Sequence, residues 1–226
     1  MPYSFKNGGI PMFAASTYEE IIEAEKQIEN LEIVVFLFVK PTTSEALEII
    51  KEFEYIHYNA ADFCSVYAIG YSNDLSKAAD REYKKAASIL DSDWYFSSKA
   101  FVAFKERLGS RIHWQYSGET EVLILQNKPG EKDCLNFQNY VAVNVNKGLR
   151  EGYIDSFQLF MESLISSSKS QVTARAAIET VRRKRLSIKT VISEAITNSK
   201  KIPKPVQGII KDRLFYRCAN HQAHEL

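Results

Sequence analysis

Ile33-Val34-Val35-Phe36-Leu37-Phe38-Val39 is the stretch on which the fold turns. Every position is apolar, so no alternation separates a core face from a wet one. A strand reads this way when helices cover both sides of its sheet. Helices are expected on either flank. Upstream, Ser16-Thr17-Tyr18-Glu19 carries the residues of a capped helix start, followed by a stripe of Ile21, Ile22, Ala24 and Ile28. Downstream, Pro41 stops the strand. Thr42, Thr43 or Ser44 can cap the next helix, whose Leu47, Ile50, Phe53, Ile56 and Tyr58 are expected to face inward.

A second strand is expected over Cys64 to Tyr71, and strand–helix–strand at this spacing implies a right-handed parallel crossover. Residues 73–93 are polar, alanine-rich and charged, and read as a surface helix. Ser97 or Ser98 caps a further helix, with Phe96, Ala100, Phe101, Phe104 and Leu108 on one side and Gly109 at its end. Ile112–Tyr116 and Thr120–Leu125 flank Ser117-Gly118 as a hairpin, and Pro129-Gly130 marks another turn. Tyr140–Val145 reads as an edge strand. Ile154, Phe157, Phe160, Met161, Leu164 and Ile165 outline an amphipathic helix.

Ser166-Ser167-Ser168-Lys169-Ser170 reads as a hinge, which divides the chain into an α/β domain, 1–168, and a helical extension, 169–226. Charge divides at the same place. The extension holds 13 Lys and Arg against 4 Asp and Glu, a balance of +9. Residues 1–168 then hold 16 against 24, or −8, although the whole chain is only +1. Three helical pieces are expected in the extension: about 172–184, one starting at Ser187, and one opened by Pro203 and Pro205.

An apolar share of 45% and an aromatic share of 12% are ample for a core, which excludes global disorder. Cys64, Cys134 and Cys218 are odd in number and far apart, with no C-x-x-C. Reduced thiols in a cytoplasmic setting fit better than a disulfide framework. The start of the chain lacks the basic and apolar regions of a signal peptide. The longest apolar run is far below the roughly 20 residues of a membrane span.

The order over residues 33–165, β-α-β-α-β-β-α, resembles the thioredoxin-like fold, a mixed sheet with a parallel pair, an antiparallel hairpin and helices on both sides. In that family the redox pair lies between the first core strand and the next helix. Here that stretch is Lys40-Pro41-Thr42-Thr43-Ser44-Glu45, without cysteine. The family's cis-proline has no counterpart in Ser110-Arg111-Ile112-His113-Trp114. The resemblance thus implies a redox-silent module with a binding role, and fold alone does not fix function.

Chemistry-bearing residues are sparse. Cys64 reads as a small buried strand residue. Cys218, His221 and His224 have even spacing but too few ligands for a metal site of usual spacing. His57 and His113 read as structural residues. No G-x-S-x-G and no phosphate-binding glycine loop is present, so no cofactor is expected. Glu119 and Glu121 on the expected hairpin, with Asp91 and Asp93 nearby, lack the lysine of an E-x-K nuclease set. They read as solvent-facing acids near a turn.

The basic stretch carries the strongest functional signal. Arg175, Arg182, Arg183, Lys184, Arg185 and Lys189 cluster within 15 positions, followed by Lys200 and Lys201. Such density suits phosphates, with salt-sensitive and sequence-neutral affinity. The expected function is a non-enzymatic module that binds a nucleic acid or an acidic protein surface through residues 169–217. Two other readings stand beside it. One is an enzyme acting on nucleic acid through the hairpin carboxylates; the other is a subunit whose tail helices pack on a partner chain.

Overall fold

The computed structural model describes residues 13–15, 17–29, 33–60, 64–74, 76, 79–89, 92–138, 140–152, 154–178 and 216–218. Its central strand is β2, Ile33–Phe38, buried at all six positions. β2 lies in a six-stranded sheet of order β1-β3-β2-β7-β8-β9. The flanking strands are β1 (Phe13–Ala15), β3 (Cys64–Ile69), β7 (Glu121–Gln126), β8 (Val141–Asn144) and β9 (Tyr216–Cys218). β1, β3 and β2 run parallel, with Val35 opposite Val66. From β2 onward the pairing is antiparallel, with Val35 opposite Ile124. The protein is therefore a mixed α/β structure.

Both faces of the sheet are covered, as the unbroken apolar run of β2 requires. α1 (Tyr18–Glu25) and α4 (Ser98–Gly109) share one face: Phe104 of α4 meets Phe36 at 5.5 Å and Tyr18 at 5.9 Å between ring centroids. Val35 and Leu37 point the other way, by strand alternation, and are equally buried. α2 (Ser44–Lys51), α3 (Phe53–Ala60) and α6 (Phe157–Ile178) complete the layers, with α3 packing on both β3 and α6. The helix starts follow their capping chemistry. Thr17 closes a full capping box with Glu20, Thr43 accepts from the Ala46 N–H, and Ser97 accepts from the Ala100 N–H.

Several expectations are corrected. The stretch 73–93 is not a helix: β5 (Lys84–Ile89) and β6 (Ser92–Phe96) form an antiparallel pair, joined by β4 (Tyr71–Ser72) in a second, three-stranded sheet. Burial of Trp94, Tyr95 and Phe96 overrides the helix propensity of the alanines and lysines before them. Ile112–Tyr116 forms no strand; β7 pairs with β8 instead, across a connection pinned by an Asn127–Leu135 bridge. β8 is not an edge, because β9 lies beyond it. Leu47 and Tyr58 are exposed at 42% and 67%, and Ile49 takes the inward place on α2.

The serine stretch 166–170 is also not a hinge, since α6 runs through it for 22 residues. The expected helix at 172–184 coincides with α6 as far as Ile178. The expected helices after Ser187 and Pro203 lie outside the described residues. Tyr216–Cys218, which falls in the expected helical extension, instead pairs with Val141–Val143 in the main sheet.

Gly70 joins the two sheets. Its φ is +82°, a left-handed conformation in which L side chains are strained. Its N–H donates to the Ala15 carbonyl and its own carbonyl accepts from the Ser97 N–H, both at 2.9 Å. A Cβ here would lie 2.8 Å from the Phe101 Cβ, so only glycine fits the junction.

Candidate functional site

Where β2 ends, the chain leaves the core and opens a groove of about 370 Å3. One wall is the turn into α2, with Lys40, Thr42 and Thr43; the other carries Tyr116, Glu119 and Arg150. Arg150 ends α5 (Val145–Arg150), which follows directly on β8. The groove thus lies at the C-terminal end of the central strand, and its lining residues all fall between positions 40 and 150.

Lys40 is half-buried beneath no carboxylate. Its Nζ lies 5.2 Å from the Phe101 ring centroid and 5.5 Å from that of Tyr116. A cation over two ring faces is favoured by about 0.5–2 kcal/mol, depending on desolvation. Lys40 makes no ion pair among the described residues. Tyr116 is half-buried and its hydroxyl finds no hydrogen-bond partner among the described residues. Burial first, and then the neighbouring Glu121 and Glu119, raise its pKa well above the ordinary phenol value. The phenol remains protonated and can act as a donor to an incoming group.

The far wall is a fixed ionic network. Arg150 donates to Glu119 at 2.6 Å and 3.2 Å, and Asn144 Nδ2 donates to the same carboxylate at 2.9 Å. The Arg150 hydrogen bond chiefly holds the Glu119 carboxyl below its usual range. Asn144 also caps α5 through the Lys147 N–H, and Asn146 Oδ1 accepts from the Thr120 N–H. At the α2 end, the Glu45 carboxylate turns back on its own backbone N–H and on Thr43 and Ser44, which lowers its pKa.

The expectation of solvent-facing acids holds poorly here. Glu121 is only 5% exposed and accepts from Trp114 Nε1 at 2.8 Å and from the Ser117 N–H at 3.1 Å. Glu119 is engaged by Arg150, and Asp93 pairs with Lys85 at 2.7 Å in the second sheet. Asp91 lies outside the described residues. Each of these three acids is tied to its own partners rather than shared in one open cluster. Among the described residues, no group of His, Cys, Asp and Glu is arranged to hold a metal ion. Cys64 and Cys134 are both buried, and neither forms a disulfide among the described residues. His113 is exposed.

Of the expected binding residues, Arg175 falls within the backbone of α6. Arg182, Arg183, Lys184, Arg185, Lys189, Lys200 and Lys201 lie outside the described residues, as do His221 and His224. No helix among the described residues is long and apolar enough to cross a membrane. Lys40, Tyr116 and Arg150 were not foreseen as a group. Lys40 could have been found from its place directly after the apolar run. Arg150 could not, because it meets Glu119 across 31 positions.

Fold and groove together define a mixed α/β protein with a polar cleft at the end of its central strand. Comparison with known protein families, with curated proteins and with solved structures gives no match.

Proposed function

We propose that the protein is a redox-silent interaction module with a thioredoxin-like body, and that its basic stretch, residues 169–217, binds an anionic partner. The thioredoxin-like reading is supported by the parallel β3–β2 pair followed by the antiparallel β7–β8 hairpin, with helices on both faces. The redox-silent reading is supported by Lys40-Pro41-Thr42-Thr43 at the turn where the family carries its thiols. The binding role rests on one observation above all: residues 169–226 carry a balance of +9 beside a body, residues 1–168, of −8. Cations at that density release counterions when they meet phosphates, so affinity falls steeply with salt.

Nucleic acid is the favoured partner and an acidic protein surface is the alternative outcome. The test uses the full chain, because Tyr216–Cys218 belongs to the sheet. Arg182, Arg183, Lys184 and Arg185 are replaced together by glutamine, and binding to a DNA duplex and to polyglutamate is measured from 50 to 300 mM KCl. Duplex binding that weakens with salt in the native chain and collapses in the variant supports the reading. Binding to polyglutamate alone moves the partner to an acidic protein. Equal binding by native chain and variant removes the role of this cluster.

A further inference from the structure

A second groove lies on the opposite side of α1 from the sheet's interior, between α1, the end of α4 and the 132–133 loop. Its volume is about 430 Å3, and Tyr18, Ile22, Lys26, Arg107, Arg111 and Lys132 line it together with three acids. Four cations against Glu19, Glu23 and Asp133 leave this cleft positive on a body whose overall balance is −8. Lys26 and Lys132 make no ion pair among the described residues.

The two arginines are held in different ways. Arg107 meets Glu19 at 2.7 Å. Arg111 Nη1 lies 3.4 Å from both oxygens of Asp133, well beyond the roughly 2.7–2.9 Å of a strong charge-assisted bond. Arg111 is placed instead by stacking, 5.1 Å from the Tyr18 ring centroid and 5.4 Å from that of Phe137. Its guanidinium fork is therefore oriented but loosely occupied. Such a fork matches the oxygens of a carboxylate or phosphate.

Tyr18 supplies an independent sign. The residue is 4% exposed, the Arg107 and Arg111 guanidiniums lie 4.9 Å and 5.1 Å from its ring centroid, and its hydroxyl has no hydrogen-bond partner among the described residues. A buried polar group left unsatisfied costs about 1–3 kcal/mol and calls for a reason. The phenol oxygen is itself buried, within the fields of Arg111, Asp133 and Arg107. Arg111, which stacks on this ring, has a side chain 37% exposed and lines the groove.

We propose that this cleft binds a small phosphomonoester, its phosphate gripped by Arg107, Arg111, Lys26 and Lys132 and hydrogen-bonded by the Tyr18 hydroxyl. A dianionic phosphate replaces Asp133 as the partner of Arg111 and gives Tyr18 the acceptor it lacks. Ile22 and the Tyr18 ring offer apolar contact to the organic part, and a cavity of this volume falls within the range of small-ligand sites. The proposal goes beyond the tail-binding reading and stands apart from it.

Phenyl phosphate is the probe, titrated calorimetrically into the full chain against KCl of equal ionic strength. Saturable binding is expected, weakened about three- to tenfold by Tyr18→Phe and by Lys132→Ala, the loss of one hydrogen bond or one exposed cation. Tyr18→Phe should melt no lower than the native protein, since its hydroxyl makes no hydrogen bond among the described residues. Every variant keeps the same basic tail, so tail binding cancels from the comparison. Heat no greater than that of KCl overturns the proposal. Native affinity in both variants overturns it equally, because the phosphate is then held elsewhere. Lys132 is exposed, so Lys132→Ala keeps the test open even if the Tyr18 variant fails to fold.

Discussion

The two sheets of this protein solve opposite problems. In the large sheet, β2 and β3 are buried at every residue and face helices or rings on both sides. In the small sheet, Lys84, Lys85 and Ser88 of β5 are exposed, while the short β4 and the aromatic run of β6 are buried. Their acids differ in the same sense. Burial raises the pKa of Glu25, on α1 against the large sheet. Hydrogen bonds from Lys85 and Ser88 lower that of Asp93, in the small one. One sheet is stable because water is excluded; the other persists because its exposed strand is solvated and its buried strand leans on the first.

The sharpest way to test the contrast is to open the large sheet. Phe38 is fully buried and its ring meets Phe101, Phe104, Trp114 and Tyr116 at centroid distances from 4.7 to 6.1 Å. Phe38→Ala is expected to cost about 3–5 kcal/mol in urea unfolding. Next comes the junction. Gly70→Ala combines a left-handed backbone with a 2.8 Å clash, for an expected loss of about 2–4 kcal/mol. A loss below 0.5 kcal/mol would show that the sheets are not coupled through this residue.

Glu25 sharpens the comparison through pH. Tyr67 donates to its Oε1 at 2.7 Å, while Oε2 is buried with only weaker approaches from Ser65 and Asn127 among the described residues. Desolvation dominates, with Tyr67, Ser65 and Asn127 opposing it, so the folded-state pKa lies above the ordinary 4.5. The folded protein then holds the proton more tightly than the unfolded chain. Stability from this group is complete below pH 4.5 and falls as pH rises through the folded-state value. Glu25→Gln is expected to flatten that decline and to gain about 1 kcal/mol at neutral pH, the order of one buried polar penalty. An unchanged pH slope in the variant would place the loss elsewhere.

The smallest effect belongs to the exposed strand. The Lys85–Asp93 pair is 2.7 Å long with side chains 54% and 35% exposed. Lys85→Ala should change stability by at most about 1 kcal/mol, and less at high salt.

What could be read from the sequence follows the same divide. The large sheet's core was legible, because seven consecutive apolar residues admit few environments and Thr17, Thr43 and Ser97 announce their helices locally. The small sheet was not. Lys84 to Ser88 has the composition of a helix face, and only pairing with Asp93–Phe96 makes it a strand. The groove was half legible: Lys40 follows from the end of β2, while Trp114 and Arg150 reach Glu121 and Glu119 by contacts that no local pattern encodes. Glu121 was misplaced outside for that reason. The basic character of the last stretch is legible from composition, but no local pattern marks Tyr216–Cys218 as a strand of the main sheet.

Those three residues have one more consequence. β8 would otherwise present a row of bare amide and carbonyl groups along the rim of the large sheet, the kind of template that recruits strands from other molecules. By lying there, the chain's own distal segment acts as a selvedge. Proteolysis ahead of Tyr216 would therefore do more than shorten the protein: it would unseal the rim and invite neighbouring copies to knit together along it.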